Sequence, residues 1–410
     1  MKNEPLTKMS RVKKGVTWLL AIVVGLIGLV LVYAFTFYPA EYTLRVLRWR
    51  DADVYDYQKF PERPFPPSDA PFHFTQAPAE AMVQTLFEMD TAVDDLDTFL
   101  AETGTQAFIV IQNDAILYEK YFNGAAQDSI VTSFSVAKSF TSALVGIAIE
   151  EGHIQSVSDP ITDYLPELLE SDPAFQDITI RDLLLMSSGI RYQEFPFVSG
   201  DDAKTYYYPD LRDLALYQTE VVGTPGEIFL YNNYHPLLLG LILERATGQP
   251  VAEYLAEKIW QPMGAAYAGS WSLDEQGFEK MESGINGRAI DFAKFGRLFL
   301  HEGSVNGEQI IPAHWVREAT LADTSLPDSY YPDWFHEALP NGFYKYMWWG
   351  RQHGGQPDDF AALGNHGQFI YVSPHKNLII VRHGERYGVE SFKWMQLFYD
   401  FATQLEPIVE

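Results

Sequence analysis

Residues Gly15–Tyr38, GVTWLLAIVVGLIGLVLVYAFTFY, run for 24 positions without a single charge. No other feature limits so strongly what this chain can fold into. As a helix the run spans about 36 Å at ~1.5 Å per residue, and a bilayer's hydrocarbon layer is ~30 Å thick. A core helix of a globular body would show a polar face, and this run has none. A cleaved signal peptide would be shorter and would end in a small-x-small site, whereas the exit here reads FTFYPAEY. An uncleaved single-pass anchor fits better, with Trp18 near one end and Tyr33 and Tyr38 near the other. Lys8, Arg11, Lys13 and Lys14 lie directly before it, and Arg45, Arg48 and Arg50 lie farther beyond it. The positive-inside rule then makes residues 1–14 a short cytoplasmic tail. It places the body on the periplasmic or extracellular side of the cell (inner) membrane.

The rest of the 410-residue chain is large enough for one big domain or two intimate ones. The whole chain's net charge of −26 and its lack of a basic stripe argue against nucleic acid as a partner. There is no cysteine, so disulfides, thiolate chemistry and Cys-ligated metals are excluded. The ten histidines show neither H-E-x-x-H nor H-x-H spacing, and no metal or cofactor is expected from linear motifs.

Residues 39–80 carry five prolines in FPERPFPPSDAPFHF and read as an extended connector, with the folded domain at 81–410. QAFIVIQNDAILYEKYFNG, 106–124, has two β-rich runs around Gln112-Asn113-Asp114 and predicts a hairpin. GQFIYVSPHKNLIIVRHGE predicts a second hairpin near the other end. Between them, apolar spacing predicts helices over 135–151, 234–247, 251–258, 288–301 and 313–320, and a last one over 389–405. Thr179 and Asp182 form a capping-box pattern before an apolar run. The order predicts an α+β fold (an α/β sandwich): one antiparallel sheet built from both chain ends, helices on both faces, and a mainly helical region.

Ser-x-x-Lys occurs three times, as Ser10/Lys13, Ser135/Lys138 and Ser373/Lys376. The first precedes the apolar span, and the last is interrupted by Pro374 in a hairpin turn. Only Ser135/Lys138 opens an apolar helix, where residues three apart share a face. There the serine oxygen meets free N–H groups and the positive end of the helix dipole. A lysine buried beside it would lose solvation, which favours the neutral amine that a base must be. By itself the tetrapeptide reads more readily as a capped helix with a surface lysine.

Ser135-Val136-Ala137-Lys138 resembles the first motif of the penicillin-recognising serine hydrolases. Tyr231 and Asn233 in FLYNNYHPLLLG match that family's second motif, Tyr-x-Asn; Tyr121-x-Asn123 fits the bare pattern but comes before the serine. Asn365-His366-Gly367 stands where the β-lactamase pattern is Lys-Thr/Ser-Gly. TIRDLLLMSSGI, NGRAIDFAKFGRLFLHEG, YKYMWWG and GNHGQFIYVSP resemble framework segments, so the likeness covers about 90–400. It is nearest the class C-like esterases and 6-aminohexanoate-dimer hydrolases. The resemblance implies a β-lactamase/transpeptidase-like fold and acyl transfer on a small ester, amide or peptide without metal or cofactor. Ser135 would be the nucleophile, with Lys138 and Tyr231 as general base and acid. Asn233 would bond lysine and substrate. Asn365-His366-Gly367 would lie on a strand of the sheet, its Gly367 letting substrate approach. The N–H groups of Ser135 and Gln368 would form an oxyanion hole. Trp348 and Trp349 are candidates for the pocket wall, and adjacent strand residues face opposite ways. His235 and His383 read as packing groups. A D-Ala-D-Ala carboxypeptidase or β-lactamase, and a non-catalytic cell-wall peptide-binding module, are the alternatives.

Overall fold

A computed structural model describes residues 5–405 except 91, 197 and 354–357, with side chains described from residue 16 onward apart from that of residue 328. It resolves into two compact units. One comprises the residues up to Asp51 together with Gln193–Pro209, and the other Ala52–Tyr192 with Asp210 onward. This division departs from the expected boundary at residue 80.

In the first unit a helix runs Pro5–Phe37, so Ser10 and Lys13 belong to its backbone, and their side chains lie outside the described residues. Val16–Phe37 is long and apolar enough to cross a membrane, and nearly all of it is exposed. Residues 40–49 are not extended: Ala40–Trp49 is a second helix. The five prolines of FPERPFPPSDAPFHF lie at 61–71 and Pro39 stands just before the helix, so no proline falls within it. The Tyr42 hydroxyl donates to the Val198 carbonyl (2.7 Å), and Arg45 donates to that of Tyr207 (3.1 Å).

The second unit is built on an eight-stranded sheet. Its order is 342–345, 348–351, 359–364, 368–373, 378–384, 105–112, 115–121, 75–76. Leu378–Gly384 pairs antiparallel with Thr105–Gln112, so the two predicted hairpins are zipped into one sheet from opposite ends of the domain. All its pairings are antiparallel except that of the short edge strand Thr75–Gln76 with Ala115–Ile116. Strand alternation then sets the layers. Ile370 and Val372 face the helix Ala289–Leu300, which comes so close at Gly296 that a Cβ there would lie 2.7 Å from Ile370. Phe369 and Tyr371 face the other way, against Phe398 of the helix Ser391–Gln404.

A second, four-stranded sheet (62–65, 269–272, 285–287, 131–132) joins segments far apart in sequence, and no local pattern announced it. The remaining helices include Ala137–Glu150, Ile180–Leu184 and Tyr234–Thr247. The capping box forms as expected: Thr179 Oγ1 accepts from the Asp182 N–H, and Asp182 accepts from the Thr179 N–H. Gly248, in the left-handed region at φ 72°, ends the helix Tyr234–Thr247. The predicted helix 251–258 forms as Val251–Leu255 followed by a wider π-turn over Ala256–Trp260.

Candidate active site

Strand Val131–Thr132 feeds the chain into a 3₁₀ turn, Phe134–Val136, and from there into the helix Ala137–Glu150. Ser133 fastens the entry twice: its N–H donates to the Ile285 carbonyl (2.8 Å), and its Oγ accepts from the Ile285 N–H (3.0 Å). Phe134 is then held at φ +42°, a left-handed conformation that a bulky residue adopts only when its surroundings compel it. Every residue from 131 to 148 is buried except Ser135, which is partly exposed. The strained turn therefore presents one hydroxyl outward from an otherwise closed helix start.

Lys138 is 1% exposed, and its Nζ donates to Ser135 Oγ (2.6 Å) and to the Glu282 carbonyl (2.9 Å). The second contact comes from a residue 144 positions away and gives the amine an anchor independent of the serine. Tyr231 lies beside the same amine, with Lys138 Nζ 5.1 Å from its ring centroid. The Tyr231 ring is set by Trp349 (5.7 Å between centroids) and by Tyr344 (6.0 Å). Trp348 turns the other way and packs on Phe299 in the core, as strand alternation requires.

Asn233 donates from Nδ2 to the Tyr192 hydroxyl (2.8 Å), a partner that no motif pointed to. Two residues on, buried His235 shares a 2.6 Å hydrogen bond with Ser188. Burial holds the His235 imidazole down to about 3, so it stays neutral. Tyr121-x-Asn123 is a turn: Asn123 has φ +53° and caps the Ala101 and Thr105 carbonyls. Ser373 and Lys376 also part company, since Ser373 contacts His375 and the Lys376 amine goes to the Leu405 carbonyl.

Asn365-His366-Gly367 lies in the turn joining strands 359–364 and 368–373, not on a strand as expected. His366 has φ +60°, donates from Nε2 to the Ala52 carbonyl (2.9 Å), and packs its ring 5.1 Å from that of Phe134. Gly367 has a reason other than substrate approach: its φ is +81°, and the place of a Cβ is filled by the Arg382 guanidinium. Arg382 is wholly buried and donates to Gly367 O (2.7 Å), Thr103 O, Arg386 O (both 3.1 Å) and Thr105 Oγ1 (3.0 Å). None of these partners is a carboxylate, and burial draws the guanidinium down to about 9. Arg382 thus pins the turn from below. The Gln368 side chain points inward too, donating to Gly384 O (2.6 Å) and pairing with buried His383 (2.9 Å). Only its backbone is left for a ligand.

Gly364 completes the junction. It pairs across the sheet with Gln368, and a Cβ on it would collide with the Ser133 carbonyl. This close approach sets the Gln368 backbone beside the turn that carries Ser135. Gly364→Ala should therefore push that turn away from the sheet edge. We expect at least a ~10-fold loss of turnover with ~1–3 kcal/mol of destabilisation, read from kcat and a denaturant melt. Unchanged kcat in a folded variant would show that the approach is incidental.

A family model described as Beta-lactamase matches residues 96–388. The 6-aminohexanoate-dimer hydrolase of Paenarthrobacter ureafaciens is 30% identical over 315 residues, covering 74% of this chain and 78% of that protein. Among solved structures, "Putative 6-aminohexanoate-dimer hydrolase from Bacillus anthracis" superposes with a TM-score of 0.75 at 24% identity, covering 89% of this chain and 95% of that one. A class C beta-lactamase superposes with a TM-score of 0.59 at 13% identity, covering 80% and 97%. With the sheet, the helix order and the motif order all in agreement, this chain belongs to the beta-lactamase family.

Proposed function

We propose that the protein is a membrane-anchored serine hydrolase that cleaves a small ester or amide through an acyl-enzyme on Ser135. The observation that carries this reading is the buried Lys138 amine, held 2.6 Å from the one hydroxyl that its segment leaves partly exposed. Ser135 Oγ attacks the substrate carbonyl, and its proton passes to the Lys138 amine. The developing oxyanion is met by the N–H groups of Ser135 and Gln368. The C–O or C–N bond then breaks, and the leaving group takes the proton, with Tyr231 as relay. Water attacks the acyl-enzyme by the same route in reverse roles, releasing the acid and restoring Ser135. Asn233, steadied by Tyr192, holds the substrate, and Trp349 and Tyr231 form an aromatic wall for its acyl side. The apolar helix Val16–Phe37 supports anchoring, and the basic residues before it favour a body outside the cytoplasm in this reading.

A β-lactamase or D-Ala-D-Ala carboxypeptidase is disfavoured because the cation that would read a substrate carboxylate is replaced by Asn365-His366, with His366 engaged to Ala52. The relative named for 6-aminohexanoate dimer makes a linear amide a natural member of the test set. In a panel of short p-nitrophenyl esters, 6-aminohexanoate dimer, a D-Ala-D-Ala peptide and nitrocefin, the esters or the linear amide should give kcat/KM at least ~100-fold above nitrocefin. Nitrocefin turnover matching the esters would overturn the preference. No turnover of any member, with no acyl adduct, would favour a binding module.

A further inference from the structure

At the far end of the strand Asp359–Gly364, away from Ser135, three metal-binding side chains converge. His353 follows the strand Trp348–Arg351, Asp359 opens the next strand, and His375 sits in the turn Pro374–Lys376. Antiparallel pairing of 348–351 with 359–364, and of 359–364 with 368–373, brings their ends together. His353 Nε2 lies 3.0 Å from one Asp359 oxygen, and His375 Nδ1 lies 3.4 Å from the other. The three ligand atoms all fall within 4.8 Å of one another. Atoms bound ~2.0–2.2 Å from one ion lie ~3.0–3.5 Å apart, so the two His–Asp contacts, at 3.0 and 3.4 Å, already have the spacing of a shared ion, and the set as a whole would draw in on binding.

The hydrogen bonding points the same way. Asp359 is wholly buried, and its Oδ1 and His353 Nε2 are held only by the ion-pair contacts of the cluster, with no aligned hydrogen bond among the described residues. A buried carboxylate oxygen held by one loose contact has lone pairs to spare for a better partner. The two atoms are close to neighbours but are not aligned for hydrogen bonds, as ligand lone pairs aimed at a common point would be. The surroundings already orient the set: the Tyr371 hydroxyl donates to Asp359 Oδ2, and the Tyr399 ring stacks on His353 at 4.8 Å. The cation across the strand, Arg351, is turned away onto Tyr399 and Gln396. The Ser373 hydroxyl lies 3.2 Å from His375 Nδ1 and would give up that contact or stay as a further oxygen neighbour.

The geometry points to a divalent transition-metal site of the zinc class, with His353 Nε2, the Asp359 carboxylate and His375 Nδ1 as ligands. Two imidazoles and one carboxylate suit zinc and its first-row neighbours rather than calcium or magnesium. The site is five residues along the strand from Gly364, about 17 Å at ~3.4 Å per residue. It therefore touches no reacting atom and acts as a clamp. It ties the strand Trp348–Arg351, which carries Trp349, to the hairpin whose other end carries His366.

The test uses the full chain in detergent, purified without a polyhistidine tag and stripped with EDTA. Titration with Zn²⁺, and with Co²⁺ as a spectroscopic reporter, should show one ion per chain, Co²⁺ ligand-field bands and a Tm that climbs with metal concentration. His353→Ala and His375→Asn should each weaken binding at least ~100-fold and abolish the bands, while kcat for the best ester stays within about twofold when the protein is folded. Should His353→Ala misfold, His375→Asn at the turn and the wild-type titration still decide. Failure of the wild type to bind either ion at micromolar concentration would leave a plain His–Asp–His ion pair and overturn the site. Equal binding by wild type and both variants would place the metal elsewhere and overturn it as well. Loss of ester turnover in Ser135→Ala bears only on the proposed catalysis, so the two readings fail separately.

Discussion

Ser135→Ala is expected to lower kcat for the best ester or amide by at least ~10⁴-fold and to abolish covalent labelling by a fluorophosphonate probe. The residual rate would come from oxyanion binding and substrate positioning, which do not need the hydroxyl. Folding should survive. Ser135 is the one partly exposed residue of its segment, and the Lys138 amine keeps its bond to the Glu282 carbonyl when the serine oxygen is removed. The far-ultraviolet circular dichroism spectrum and Tm should therefore match the wild type closely. Intact-mass spectrometry after probe treatment is the direct measurement: one adduct on the wild type and none on the variant. Equal labelling of both proteins would remove Ser135 as nucleophile, whatever the kinetics.

Lys138→Met should cost ~10²–10⁴ in kcat, the usual span for a lost general base, and should change KM little. That split follows from the geometry. The amine bonds to Ser135 and to a backbone carbonyl, contacts made within the protein and not with a substrate. Methionine matches the lysine's apolar stem as far as Cε, without the amine, in a place that is 1% exposed. Two opposing terms then act on stability. The Glu282 carbonyl loses a partner, at ~1–3 kcal/mol, but the cost of keeping an amine out of water is removed. The expected result is a large kinetic defect on a nearly unchanged Tm. A variant with more than a tenth of wild-type kcat would show that another group takes the serine proton, and Tyr231 would be the first candidate.

Legibility in the sequence is uneven, and particular residues show why. The hairpins near each end are readable because Asn113-Asp114 and Pro374–Asn377 are local turn chemistry between β-rich runs. The Thr179/Asp182 box is readable because both bonds lie within four residues. The helix Ala40–Trp49 is hidden when the whole stretch 39–80 is treated as one connector, because the prolines that forbid a helix begin only at Pro61. Resemblance puts Asn365-His366-Gly367 on a strand, whereas the positive φ of both His366 and Gly367 makes it a turn. Tyr192 as the partner of Asn233 has no signal at all, because 41 residues separate them. The His353, Asp359 and His375 cluster is equally hidden: its members are spaced six and sixteen residues apart on three segments, and no linear metal motif has that form.

By itself the sequence determined what interactions within a segment can determine. It specified an apolar span of bilayer length, the alternation that makes strands, the caps that start helices, and the one Ser-x-x-Lys pair that opens an apolar helix. Tertiary structure alone decided how that pair is held. The Glu282 carbonyl grips the lysine from 144 residues away, Ser133 and Gly364 hold Phe134 in its left-handed turn, and buried Arg382 pins the facing turn. The physical reason is that capping and periodicity act over a few residues of one chain segment. A buried amine or guanidinium is satisfied instead by whichever distant carbonyls the packed sheet brings within reach.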